Sequence, residues 1–123
     1  MSSNYASHDI LPADEPLLSL PEVSERLGVV ITKVMDLLNE HKIIAVKRDG
    51  VRYIPEAFFS TKKDNTNRFT PGVIALLADG GYSDTEILTF LFTEDETLPG
   101  RPIDALHGQL AREVMRRAQA MAV

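Results

Sequence analysis

The stretch Leu20-Pro-Glu-Val-Ser-Glu-Arg-Leu-Gly-Val-Val-Ile-Thr-Lys-Val-Met-Asp-Leu-Leu-Asn-Glu-His41 decides the fold, because it holds two short helical patterns separated by one glycine. Ser19 stands where an N-cap belongs, and Glu22 completes a capping box with it. Pro21 sits in a first turn, where its missing N–H is no loss. Val23 and Leu27 fall four apart on one helical face, and Gly28 then supplies the permissive backbone of a tight turn. A second helix restarts near Ile31, with Val34, Leu37 and Leu38 inward and Thr32, Lys33, Asp36 and Asn39 outward. Two helices joined in this way form a helix-turn-helix, whose second helix has the geometry to enter a major groove of DNA.

Immediately downstream, Ile43-Ile-Ala-Val-Lys-Arg-Asp-Gly-Val-Arg-Tyr-Ile-Pro55 reads as two strands around an Asp49-Gly50 turn, the strongest short-range hairpin signal. Lys47, Arg48 and Arg52 gather at the tip and flanks of this hairpin, with Tyr53 beside them. A hairpin after a helix-turn-helix is a wing. Wings hold the phosphate backbone or a neighbouring minor groove, where a cation gains from the strand's charge without reading much sequence.

Outward from this centre, residues 1–16 read as a flexible acidic tail and 17–60 as the winged helix, ending in a short helix near Glu56 that turns Phe58 and Phe59 inward. Residues 61–70 form a polar loop, and 71–123 a helical C-terminal part packed on the first as one compact unit. There, Thr70 and Pro71 cap and begin a helix that stops at Gly80-Gly81, and Ser83 with Glu86 repeats the capping box ahead of Ile87, Leu88, Leu91 and Phe92. After an acidic connection at 93–100, Pro102 begins a final helix on which Ile103, Leu106, Leu110, Val114, Ala118 and Met121 make one apolar stripe. The fold class expected is mainly α: a winged helix-turn-helix with a small β-hairpin wing, a C-terminal helical extension and a flexible N-terminal tail.

A chain of 123 residues is in the usual single-domain range and can bury a real core. It contains no cysteine, which removes disulfides, thiolate catalysis and cysteine-based zinc sites. The N-terminus has no early Lys or Arg, unlike a signal peptide, and the apolar runs are too short to span a bilayer, so a cytoplasmic protein without a membrane partner is expected. The net charge of −5 argues against nucleic acid until its distribution is examined. Residues 1–25 carry −5 and 79–104 carry −6, whereas 41–63, with Lys42, Lys47, Arg48, Arg52, Lys62 and Lys63 against Asp49 and Glu56, carry +4. Within a Debye length of about 10 Å at 0.1 M salt the local sign governs.

The chain resembles a family of small actinobacterial winged-helix DNA-binding proteins whose mycobacterial member is a serine/threonine kinase substrate. The resemblance is carried by 20–59, Pro71-Gly-Val-Ile-Ala-Leu-Leu77, Asp79-Gly-Gly-Tyr-Ser-Asp-Thr-Glu-Ile87, Leu91-Phe-Thr93, Arg101-Pro-Ile-Asp-Ala-Leu-His107 and Ala111-Arg-Glu-Val-Met-Arg-Arg-Ala-Gln-Ala-Met-Ala122. The helix-turn-helix is shared with excisionase-like and MerR-like proteins, whereas the glycine-tyrosine and arginine-proline-isoleucine-aspartate segments are distinctive. The resemblance implies a winged helix joined to a helical C-terminal part, double-stranded DNA as partner, and phosphorylation of the N-terminus by a serine/threonine protein kinase as control. The acceptors present in the tail are Ser2, Ser3, Tyr5 and Ser7; it holds no threonine.

The function expected is DNA binding by a transcriptional or nucleoid-associated regulator. Thr32 and Lys33 approach phosphate or base edges, Asn39 reaches a base edge, and Lys42, Lys47, Arg48, Arg52 and Tyr53 complete the DNA-binding set. Against it stand blander readings: an αα-hairpin in a bundle, and a charged edge that merely prevents strand pairing. Met35 and Asp36 occupy positions where many winged helices present Arg or Lys, and a carboxylate facing phosphate is repulsive unless it accepts from a cytosine amino group. The alternative function is a protein-interaction module, antitoxin-like or dimerising through the C-terminal helices, and a homo-oligomer is compatible with either. No enzyme, cofactor or metal site is expected. His8, His41 and His107 lack the short helical spacing of a metal pair, Glu94-Asp95-Glu96 lacks the spaced oxygens and glycine of a calcium loop, and Asp79-Gly80-Gly81 lacks the lysine of a phosphate loop.

Overall fold

The computed structural model describes residue 6, residues 9–59 and residues 69–122. The helix-turn-helix is built as its local chemistry dictates. Helix α1 (Leu20–Leu27) opens on a complete capping box: the Ser19 N–H donates to the Glu22 carboxylate at 2.8 Å, and the Glu22 N–H donates to Ser19 Oγ at 3.3 Å. It closes at Gly28, whose φ of 67° and ψ of 34° are left-handed, and the Val29 N–H reaches back to the Ser24 carbonyl at 3.0 Å. Helix α2 (Ile31–Asn39) follows with no side-chain cap at Val30, burying Val34 and Leu38 and leaving Leu37 half-buried.

Strands β2 (Val46–Arg48) and β3 (Val51–Pro55) form the wing, and positive φ at Asp49 (51°) and Gly50 (78°) is what a tight two-residue hairpin turn of matching twist needs. A third strand, β1 (Leu17–Ser19), was not visible in the sequence pattern. It pairs antiparallel with β3, Leu18 opposite Ile54, giving the order β1-β3-β2. Three residues leading straight into a helix are too few for an alternation to register.

A 3-10 turn (Glu56–Phe58) then delivers Phe58 and Phe59, both fully buried, to the seam with the C-terminal helices. Those helices are α3 (Thr70–Asp79), α4 (Asp84–Phe92), α5 (Pro102–Ala105) and α6 (Ala111–Met121). Ser83 and Glu86 form the second capping box, at 2.8 and 3.1 Å. Phe58 meets Phe92 with ring centroids 5.9 Å apart at 58°, a tilted arrangement that suits aromatic quadrupoles, and the Arg101 guanidinium lies 5.2 Å from the Phe92 centroid. At the far end Gly80 lets α3 approach α6, since a Cβ there would sit 3.0 Å from Ala122, and the Tyr82 hydroxyl donates to the Met121 carbonyl at 3.0 Å. One core runs from Val23, Val34 and Ile54 through Phe58 to Ile74, Leu88 and Val114. The chain is thus a winged helix-turn-helix with a three-stranded sheet and a C-terminal helical part.

Three expectations need correction. The tail read as flexible through residue 16 is held from Asp9 onward: Leu11 is buried, Arg48 binds this segment, and the Ala6 N–H donates to the Ala45 carbonyl at 2.7 Å. The last helix is two, because 106–110 closes in turns, with the His107 and Gly108 amides bonding three residues back, and Leu110 is exposed rather than part of the stripe. His107 holds this break by donating from Nε2 to the Ala57 carbonyl at 2.6 Å. Thr70, expected to cap α3, is its first residue, and its buried Oγ1 has no partner among the described residues. No described helix is long and apolar enough to cross a membrane.

Candidate nucleic-acid interface

The outward face of α2 carries Thr32, Lys33, Asp36, Asn39 and Glu40, all exposed. Thr32 and Asn39 are about 10 Å apart along the axis at 1.5 Å per residue, enough to follow a groove across a few base pairs. Helical spacing puts Met35 on the flank between this face and the core, and the Arg52 Nη2 lies 3.5 Å from Met35 Sδ. The wing therefore stands beside that flank.

Strand register sorts the basic residues of the wing into two groups. Successive side chains alternate between faces and directly opposed partners share one. Lys47 is opposite Arg52, on the face that carries Ile54 and Leu18 and that meets α2. Arg48 is opposite Val51, and Val46 opposite Tyr53, on the other face. There Arg48 is enclosed by the N-terminal segment. Its Nε donates to Asp9 Oδ2 at 2.5 Å, and further N–H groups reach the carbonyls of Pro12 at 3.1 Å and of Leu11 and Ala13 at 3.4 Å. The guanidinium beside Asp9 holds that carboxyl below its ordinary value.

Of the eight residues singled out from sequence, Thr32, Lys33, Asn39, Lys47 and Arg52 share the surface formed by α2 and the hairpin face turned to it. Lys42 lies past the C-terminal end of α2 with its ammonium 3.4 Å from Glu40. Arg48 and Tyr53 belong to the opposite sheet face, Arg48 as a clasp for the N-terminal segment and Tyr53 half-buried against the core. Sequence reasoning attached no role to Val30 and Ile31, which are 69% and 42% exposed at the turn and the first position of α2. An apolar residue in place of a hydroxyl or carboxamide cap was the available signal. Lys62 and Lys63 of the expected +4 segment lie outside the described residues, as do Ser2, Ser3, Tyr5 and Ser7.

Charge supports this surface over the rest. Residues 31–52 hold Lys33, Lys42, Lys47, Arg48 and Arg52 against Asp36, Glu40 and Asp49, a net +2 in a chain of −5, so all the other residues together carry −7. The acidic run at 94–96 is a structured turn: Asp95 accepts from the Thr97 N–H at 2.9 Å and from Arg117 at 3.1 Å, and the Thr97 contacts hold its carboxyl below the ordinary value. Among the described residues no three His, Asp or Glu side chains gather as metal ligands would.

Comparison with known proteins covers both halves. Residues 5–59 match the family described as "DNA-binding protein Rv2175c, wHTH domain", and residues 68–122 match "Rv2175c C-terminal domain of unknown function". The protein called DNA-binding protein Rv2175c, from Mycobacterium tuberculosis (strain ATCC 25618 / H37Rv), is 46% identical over 129 aligned positions, spanning 95% of this chain and 88% of that one. The NMR structure of Rv2175c superposes with a TM-score of 0.86 at 45% identity, over 96% of this chain and 88% of the other. Matched in both halves and along nearly its full length, the chain belongs to the Rv2175c family, and its helix-turn-helix and hairpin are that family's winged-helix domain.

Proposed function

We propose that this protein binds double-stranded DNA through α2 and the adjoining face of the wing, as a transcriptional or nucleoid-associated regulator in the bacterial cytoplasm. The observation that carries the reading is the Lys47–Arg52 pair on the hairpin face beside an exposed helix α2, inside a positive island on an otherwise acidic molecule. The name of the relative, a DNA-binding protein, supports it. Lys47 and Arg52 neutralise phosphates flanking the groove, Lys33 takes a phosphate on the far side of α2, and Thr32 and Asn39 face base edges. Asp36 tolerates this position by accepting from an exocyclic base amine.

Phosphorylation of Ser2, Ser3 or Ser7 by a serine/threonine protein kinase adds about −1.5 to −2 charge per site at pH 7 to a segment that continues into the wing clasp, and weakens DNA retention. Capture of a protein partner by the C-terminal helices draws no support from the packing, since Ile103, Leu106, Val114 and Ala118 are already buried in the core.

The test is fluorescence anisotropy of a labelled mixed-sequence duplex at two salt concentrations, with a Lys47→Glu/Arg52→Glu variant. The phosphate contacts of Lys33, Lys47 and Arg52 imply roughly twentyfold weaker binding after a threefold rise in salt, and charge reversal should abolish the low-salt signal. No binding at low salt, or unaltered binding by the variant, would refute the proposal.

A further inference from the structure

Five large apolar side chains are exposed among the described residues: Ile10, Val30, Ile31, Val51 and Leu110. Two of them sit where a winged helix meets a duplex, Val30 and Ile31 at the start of α2, whereas Val51 lies on the sheet face shared with Arg48. Val30 is the most exposed of the five at 69%, and it holds an N-cap position where a serine or threonine would have satisfied a backbone N–H. Forgoing that bond for a solvent-facing isopropyl group has no explanation in folding, because neither side chain reaches the core.

The start of a recognition helix is the part that meets base edges. In the major groove, an apolar side chain has one partner, the C5-methyl group of thymine, while guanine is read by Arg or Lys forked onto O6 and N7. The exposed surface of α2 carries no arginine, and its one lysine, Lys33, lies on the flank away from the wing. Val30, Ile31 and the Thr32 methyl begin the helix, and Asn39, whose amide matches adenine N6 and N7, lies two turns on. The surrounding +2 island against −7 elsewhere favours a polyanion over a second copy of this acidic chain as the occupant.

We infer that the N-terminal end of α2 reads thymine methyl groups, with Val30 and Ile31 as the specificity-determining contacts, so that A·T steps are preferred over G·C. The inference rests on the proposed duplex binding and adds to it the base chemistry recognised. Asn39 positions the helix on an adenine further along the groove, and Lys47 and Arg52 hold the register from the backbone.

The test compares two labelled A·T-rich duplexes, one with thymine and one with deoxyuridine, which keeps every charge and hydrogen-bonding group but lacks the methyl. The full-length chain should bind the deoxyuridine duplex more weakly by roughly fourfold for each methyl contacted. The Ile31→Ala and Val30→Ser variants should lose that discrimination, so that the ratio of their affinities for the thymine and deoxyuridine duplexes falls toward one. Equal, salt-sensitive binding of both duplexes by the parent would overturn methyl reading and leave duplex binding standing; no binding to either would overturn both. Sedimentation of the free chain closes the remaining route, since a dimer dissolved by Ile31→Ala would assign the patch to a second copy and overturn the inference.

Discussion

Arg48 and Arg52 are four residues apart on one hairpin, and they should separate cleanly into a stability role and a binding role. Arg48→Gln removes the ion pair to Asp9 and bonds to three carbonyls of the N-terminal segment. The pair is only a quarter exposed on each side, at 25% and 23%. A surface pair of this kind is worth up to about 1 kcal/mol, and charge-assisted bonds to carbonyls add about 1 kcal/mol more once water has replaced part of them. The expected loss is about 1–2 kcal/mol, or roughly 3–8 °C in melting temperature for a chain of this size. Asp9→Asn should cost about 0.5–1 kcal/mol, and the double variant little more than Arg48→Gln alone, because the two single changes remove one shared interaction. Among the described residues Arg52 makes only a weak side-chain contact, to Met35, so Arg52→Gln should leave stability within about 0.5 kcal/mol. On duplex DNA the order reverses: Arg52→Gln should lower the salt slope by about 1 and affinity with it, and Arg48→Gln should do neither. Urea midpoints and anisotropy titrations on the same preparations decide. If Arg48→Gln unfolds at the parental midpoint yet loses salt slope like Arg52→Gln, the two-face assignment of the wing is wrong.

Two further outcomes follow from the packing and the charges. Gly80→Val should destabilise by about 1–3 kcal/mol through overpacking against α6, and Ala122→Gly should recover part of that loss in thermal melts, since the strain is steric at an ordinary φ of −78°. Asp9 titrates below its ordinary value in the folded state, so its contribution is present above that ordinary value, about 3.8, and is lost as pH falls through the lower folded value. The stability gap between the parent and Asp9→Asn should therefore be full at about pH 6 and vanish in strong acid, whereas a gap that widened in acid would contradict the pairing.

Much of the fold was legible because it rests on short-range chemistry. Both capping boxes, Ser19 with Glu22 and Ser83 with Glu86, form as their spacing requires, and Asp49-Gly50 turns the hairpin where the sequence places it. The inward faces of α1 and α2 follow from helical period, which also puts Thr32, Lys33 and Asn39 outside. The break between α5 and α6 was not legible: Ile103, Leu106, Leu110 and Val114 keep helical spacing across it, and the turn is held by a bond from His107 to Ala57, fifty positions away.

By itself the sequence determined which segments become helix, turn and hairpin, and that positive charge is concentrated near the wing, because caps, periodicity and residue type act over three to seven neighbours. Only the tertiary structure decided what that charge is available for. Face assignment in a three-stranded sheet depends on register and on what covers each side, and a residue 39 positions upstream, Asp9, occupies Arg48 while Lys47 and Arg52 are turned toward α2. An ion pair between distant segments exists only once the core has brought both to one place, and no local pattern in either segment encodes it.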